Sequence, residues 1–273
     1  MGLVDVDWLR QHLADDDLVV VDCRWTLFHP GAGRHLYELQ HIPGASFLDV
    51  DSDLAAPPGE RGRHPLPDAE AFERAASRAG IGPGRHVVAY DESGEGGAVR
   101  LWWLLRHFGH DHADVLDGGM LAWRDRGGRV ESGPPAERSG GFVAGARSDD
   151  TIDPAELERR LGEPGLVLLD ARAPERYAGE TEPIDPVAGH IPGARNVPFA
   201  EIAPKGRFLG PGELRERFGD ADGRGEIVAY CGSGVTACTL ILAAELAGLP
   251  AGRLYPGSWS EWSGRGLPVE TVR

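Results

Sequence analysis

Long apolar runs are absent from this 273-residue chain. No stretch approaches the ~18 consecutive apolar residues of a membrane-spanning helix, which excludes a transmembrane reading. Positive charge is in deficit: 28 Lys and Arg face 43 Asp and Glu, for a net charge of −15. Such a balance favours solubility and argues against nucleic acid or an anionic membrane as a partner. Cysteine is scarce too, with three residues at positions 23, 231 and 238. An odd, scattered set cannot form a disulfide framework and is too small for a structural zinc site, so no metal is expected and a reducing compartment is. The first residues carry Asp5, Asp7 and Asp15 to Asp17 in place of the basic start of a signal or transit peptide. The expected location is the cytoplasm.

What the chain does have is a second copy of itself. Val19-Val-Val-Asp-Cys-Arg24 returns as Val167-Leu-Leu-Asp-Ala-Arg172, and His41-Ile-Pro-Gly-Ala45 returns as His190-Ile-Pro-Gly-Ala194. In the same order, His86-Val-Val-Ala-Tyr-Asp91 matches Glu226-Ile-Val-Ala-Tyr-Cys231, and Asp117-Gly-Gly-Met-Leu-Ala-Trp123 matches Pro256-Gly-Ser-Trp-Ser-Glu-Trp262. The length suits two domains. Between the copies, Glu131 to Gly141 is rich in Gly, Pro and charge and poor in side chains that pack, as linkers are. The reading is an N-terminal domain at 1–132, a linker at 133–150 and a C-terminal domain at 151–273.

Short β-branched runs alternate with helical patterns in each half, which predicts an α/β fold with two tandem domains, each a mostly parallel sheet flanked by helices. Strands are predicted at 18–22, 86–90, 167–170 and 226–230, and helices at 68–79, 98–108, 154–161 and 235–247. Asp68 and Asp153 stand as N-caps, with Pro154 at the first helical position. In open sheets of this kind ligands gather beyond the carboxyl ends of strands. Cys231 stands at such an end.

The segment Cys231-Gly-Ser-Gly-Val-Thr-Ala237 leaves the apolar run Ile227-Val-Ala-Tyr230 and leads into a helical pattern. A helix N-terminus carries unpaired N–H groups and partial positive charge, so it favours a thiolate and makes Cys231 a candidate nucleophile. Gly232 and Gly234 free the backbone to curl, and the N–H groups of Gly232, Ser233, Gly234, Val235, Thr236 and Ala237 are predicted to surround the sulfur. A cysteine phosphatase holds its thiolate in a similar way but needs an arginine six positions after the cysteine, where this chain has Ala237. Cys23, Cys238 and the two His-Ile-Pro-Gly-Ala segments read as structural. Trp102, Trp103, Trp123, Trp259 and Trp262 read as core, with Trp259 at the mouth of a cleft.

The tandem copies, the paired His-Ile-Pro-Gly-Ala segments and the cysteine loop together resemble the rhodanese family of sulfurtransferases, over almost the whole chain. The Cys-Gly-Ser-Gly-Val-Thr-Ala form is similar to that of members whose sulfur donor is 3-mercaptopyruvate. Members specific for thiosulfate tend to carry basic residues just after the cysteine, where Gly232 and Ser233 stand here. The resemblance implies a ping-pong reaction without a cofactor, in which Cys231 takes sulfur as a persulfide and yields it to a thiol, a thioredoxin-like protein or cyanide. The main alternative is a thiosulfate sulfurtransferase with the same persulfide, differing only in donor, and the lesser one is a non-enzymatic persulfide carrier.

The same resemblance implies an acid–base set of Ser233 with Asp51 and His64, both from the N-terminal half, and a substrate-binding arginine at Arg176. A second arginine of the animal relatives is replaced here by the stretch Ile184-Asp-Pro186, which leaves Arg195 or another loop to assist. In the first half the loop Asp91 to Ala98 has aspartate where the second has cysteine. A carboxylate cannot accept sulfur, so that half is expected to serve as scaffold and to close one wall of the cleft.

Overall fold

The chain divides into two compact units in the computed structural model, which describes residues 2–136, 138–219 and 225–272. The first unit holds the chain up to Ala56 together with Leu66–Arg147 and Lys205–Arg207; the second holds Pro57–Pro65, Ser148–Pro204 and the chain from Phe208 onward. His64, expected in the N-terminal half, therefore packs as part of the second unit.

In the first unit the strands β1 (Leu3–Val4), β2 (Leu18–Asp22), β3 (Ser46–Phe47), β4 (His86–Tyr90) and β5 (Ala113–Leu116) form a parallel sheet in the order β1-β5-β4-β2-β3. In the second, β6 (Leu166–Asp170), β7 (Arg195–Asn196), β8 (Glu226–Tyr230) and β9 (Arg253–Leu254) form a parallel sheet in the order β7-β6-β8-β9. The central strands are runs of Val, Leu, Ile and Ala buried almost along their length, as a parallel sheet covered on both faces requires. No helix among the described residues is long and apolar enough to cross a membrane.

The predicted caps form. The Asp68 carboxylate accepts the Ala71 N–H at 2.7 Å and starts the helix Ala69–Arg78, and Asp153 accepts the Glu156 N–H at 2.8 Å ahead of Pro154–Arg160. Each replaces a partner that a free helix end lacks. The helix after Cys231 runs from Ala237 to Leu246, two residues later than the pattern suggested, because Gly234 at φ +80° turns the loop before helical geometry sets in.

The repeated motifs build the same frame twice. Register places Asp22 beside Tyr90 and Asp170 beside Tyr230. Arg24 pairs with Asp22 at 2.7 Å and Arg172 with Asp170 at 2.6 Å, all four side chains essentially sealed from water. The tyrosine hydroxyls accept the N–H groups of Ile42 and Ile191, and Tyr37 and Tyr177 stack on His41 and His190 at 3.8 Å. Removing one partner of such a buried pair costs about 3–5 kcal/mol.

Part of the segment read as linker packs with the first unit, and one expectation, for Trp259, is corrected. Glu137 lies outside the described residues, but beyond it the segment read as linker carries Phe142, buried against Phe72 and His110 in the first unit. Hydrogen bonds help to dock it: the Phe142 N–H donates to Ser77 Oγ at 2.9 Å and the Ala144 N–H to Glu73 at 3.1 Å. Trp259 lines no opening: it is fully buried, its indole N–H donating to Val187 O at 2.9 Å and its ring lying 4.5 Å beneath the Arg172 guanidinium.

Candidate active site

β8 delivers Cys231 to the end of its sheet, where the thiol is buried and Sγ accepts the Gly234 N–H at 3.1 Å. Position 234 admits only glycine, since its φ is +80° and a Cβ there would sit 2.4 Å from Pro256 O. Val235 and Ala237 are buried, and Thr236 stands at the N-cap of the helix without a side-chain cap bond.

A second clamp comes from the helix Ser258–Gly264. Ser258 Oγ accepts the Cys231 N–H at 3.1 Å and donates to Tyr255 O at 2.9 Å, while Trp259 N–H and Ser260 N–H donate to Cys231 O and Gly232 O, both at 3.0 Å. Ser258 sits at φ +53°, which costs a non-glycine residue about 1–2 kcal/mol. Sequence reasoning missed it. The signal lay in the repeat, where Ser258 stands opposite Gly119, which has φ +56°.

Ser233 Oγ and His64 Nδ1 are hydrogen-bonded at 2.7 Å, and both side chains are buried. His64 is held by its own segment. Gly59 and Gly62 exchange N–H···O bonds of 3.0 Å, and the Arg63 N–H donates to Ser260 Oγ at 3.1 Å, which ties this turn to the helix that clamps the loop.

Two guanidiniums reach the Gly232 side of the loop. A Cβ on Gly232 would meet Arg63 Nη2 at 2.8 Å and Arg176 Nη1 at 3.4 Å. Arg176 turns its other edge to Glu182, with contacts of 2.7 and 2.9 Å from Nη2 and 3.2 Å from Nε. Arg63 Nη1 pairs with Asp185, and its buried Nε has no hydrogen-bond partner among the described residues. Sequence reasoning named Arg176 and missed Arg63, although the latter adjoins His64. Arg195 is engaged elsewhere, donating to Phe218 O at 2.9 Å.

The carboxylates holding these arginines are themselves buried, Glu182 at 3% and Asp185 at 5% side-chain exposure. Burial pushes Asp185 up from the usual carboxylate range, against the pull of Arg63 and Arg176. Burial acts on Glu182 in the same sense, but the bonds from Arg176 and from the Asp185 and Ile184 N–H groups prevail and hold it low.

The remaining predicted residue, Asp51, belongs to the first unit. There its carboxylate accepts the Trp25 indole N–H at 2.9 Å and its own N–H donates to Asp49 at 2.8 Å. In the same unit Asp91 fills its loop with its own side chain, accepting N–H groups from Gly94, Gly96 and Ala98 at 2.7, 3.0 and 3.3 Å. Burial, aided by Glu95, pushes its pKa up to about 7. Cys23 and Cys238 are both fully buried.

A buried thiol in a loop of N–H donors, a hydroxyl–imidazole pair and two forked cations can together hold a carboxylate, receive an atom on sulfur and move a proton. The chain is 47% identical over 268 residues to a probable 3-mercaptopyruvate sulfurtransferase of Pseudomonas aeruginosa, covering 95% of this chain and 94% of that protein. It is 41% identical over 257 residues, 92% of this chain and 89% of the relative, to a Mycobacterium tuberculosis protein provisionally named a thiosulfate sulfurtransferase. The crystal structure of SseA from Escherichia coli, described under the rhodanese fold and the mechanism of 3-mercaptopyruvate sulfotransferases, matches with a TM-score of 0.82 at 32% identity, covering 96% of this chain and 100% of that one. The Rhodanese-like domain matches twice, at residues 5–126 and 153–265, once for each copy of the repeat, and the chain belongs to that family.

Proposed function

We propose that this enzyme, a sulfurtransferase, draws its sulfur from 3-mercaptopyruvate, releases pyruvate, and passes the sulfur through a Cys231 persulfide to a thiol, a thioredoxin-like protein or cyanide. The observation that carries the reading is the 2.7 Å hydrogen bond between His64 and Ser233, two residues from the nucleophile. A thiol donor brings a proton that must leave sulfur and reach carbon, and a buried hydroxyl–imidazole pair is suited to moving it.

In the donor half-reaction the Cys231 thiolate attacks the donor sulfur. The S–S bond forms, the S–C bond breaks, and its electron pair passes to the methylene carbon as the pyruvate enolate. The proton that began on the donor thiol is relayed by Ser233 and His64 to that carbon, leaving a persulfide anion and pyruvate. Gly234 N–H and the rest of the loop stabilise the anionic sulfur before and after transfer. Arg63 and Arg176 grip the donor carboxylate. The place of Asp51 in the acid–base set rests on the family resemblance. In the acceptor half-reaction a thiolate or cyanide attacks the outer sulfur and restores Cys231.

The first unit, with Asp91 in place of a thiol, acts in this reading as scaffold, and the division at residues 132 and 151 is part of the proposal. No cofactor enters the scheme, and three free buried cysteines suit a reducing cytoplasm. The second reading is a thiosulfate donor with the same persulfide, favoured by the name of the M. tuberculosis relative.

The test is kcat/KM for both donors on wild type and Cys231→Ser. A preference for mercaptopyruvate of at least about tenfold, roughly 1.4 kcal/mol, lost in the variant, supports the proposal. A preference for thiosulfate overturns the donor and keeps the persulfide; turnover that survives in Cys231→Ser overturns both.

A further inference from the structure

Glu182 and Asp185 do more than hold arginines still. Arg63 and Arg176 are the two cations that reach Gly232, and each is paired with a buried carboxylate: Arg63 with Asp185, and Arg176 with Glu182 at 2.7 Å and Asp185 at 3.4 Å. Two positive charges face two negative ones, so this corner of the site is formally neutral. Arg172, the next cation along, pairs with Asp170 at 2.6 Å and with Glu182 at 3.3 Å, and counting it together with Asp170 leaves the corner neutral. The Nη2 of Arg63 and the Nη1 of Arg176 are the donors nearest to Gly232.

We propose that Asp185 and Glu182 are selectivity residues that set the charge of the donor, admitting a monoanion and disfavouring a dianion. The inference rests on the donor reading above and gives it a cause. A mercaptopyruvate carboxylate brings one negative charge to a neutral corner and finds directional donors there. Thiosulfate brings two, and in a corner shielded from water its second charge meets Asp185 and Glu182 without a surplus cation to balance it. Asp185 is the decisive member because it touches both guanidiniums.

Asp185→Asn keeps the shape and removes one negative charge. At an effective dielectric of about 20, that change favours a bound dianion over a monoanion by about tenfold or more at such distances. The expected result is a rise of at least about tenfold in the ratio of kcat/KM for thiosulfate to that for mercaptopyruvate. Inhibition constants should move the same way without any turnover, sulfate tightening relative to pyruvate. Equal losses with both donors, with the two inhibitors also unchanged in ratio, would mean a purely structural role and overturn the proposal. Glu182→Gln, read by the same ratios, decides the matter if Asp185→Asn does not fold. If wild type itself prefers thiosulfate, the donor reading fails; the filter then stands or falls on whether Asp185→Asn shifts the ratio.

Discussion

His64 Nδ1 stands 2.7 Å from Ser233 Oγ, across 169 positions of sequence. The pair has work in only one half-reaction of the proposed scheme. Ser233→Ala and His64→Gln should slow pyruvate release from mercaptopyruvate by about 10²–10⁴-fold, the usual yield of general acid–base catalysis. Discharge of a preformed persulfide to cyanide should stay within a few-fold of wild type. Single-turnover measurements of each half-reaction separate the two; equal losses in both would mean that the pair merely supports the loop.

Arg63 should matter at least as much as Arg176. Glu182 occupies one forked edge of Arg176, whereas Arg63 Nη2 comes nearer to a Cβ built on Gly232, at 2.8 Å against 3.4 Å for Arg176 Nη1. Hydrogen bonds to charged groups contribute about 1.5–3 kcal/mol, so Arg63→Gln should raise KM for mercaptopyruvate by about 10- to 150-fold, with a smaller change in kcat. An unchanged KM in steady-state assays would remove Arg63 from carboxylate binding.

Gly234→Ala should be among the most damaging small substitutions in the second unit. It forces alanine to φ +80° and drives its Cβ to 2.4 Å from Pro256 O. A stability loss above about 1 kcal/mol is expected, together with lost activity. Gly212→Ala, at a helical position where a Cβ meets nothing within 4 Å, serves as the control in the same urea titration and should match or modestly exceed wild type.

Asp91 predicts a pH effect on stability. Its folded pKa of about 7 lies above its ordinary value of 3.8, so between those limits the folded chain holds a proton that the unfolded chain has released. Stability from this group is therefore present at low pH and declines as pH rises towards 7. Asp91→Asn should flatten the dependence of unfolding free energy on pH by up to one proton between about pH 5 and 7. Denaturant titrations across that window check it, and a slope identical to wild type would mean that Asp91 ionises normally.

The central strands and both aspartate caps were legible because their causes are local: β-branched runs buried on two faces, and an acid placed three residues ahead of the N–H it accepts. Cys231 and Ser233 were legible because one loop carries both. Arg63 was not, since an arginine beside a histidine has the same composition whether it faces water or Gly232, and only the turn at Gly59 and Gly62 decides. Ser258 was hidden for another reason: its contribution is a backbone angle, which a serine does not advertise. Phe142 and Trp259 show the converse, residues whose neighbours in sequence suggested exposure and whose neighbours in space bury them.

Tandem copies begin as interchangeable parts, each able in principle to go its own way. Here Pro57–Pro65, which precedes the second copy in sequence, packs with the second unit. A fragment beginning at Ser148 would inherit Cys231, Ser233 and Arg176 but leave Arg63 and His64 behind on the other piece. A split between the repeats would therefore part Cys231 and Ser233 from His64, the other half of the proposed proton relay, and from Arg63.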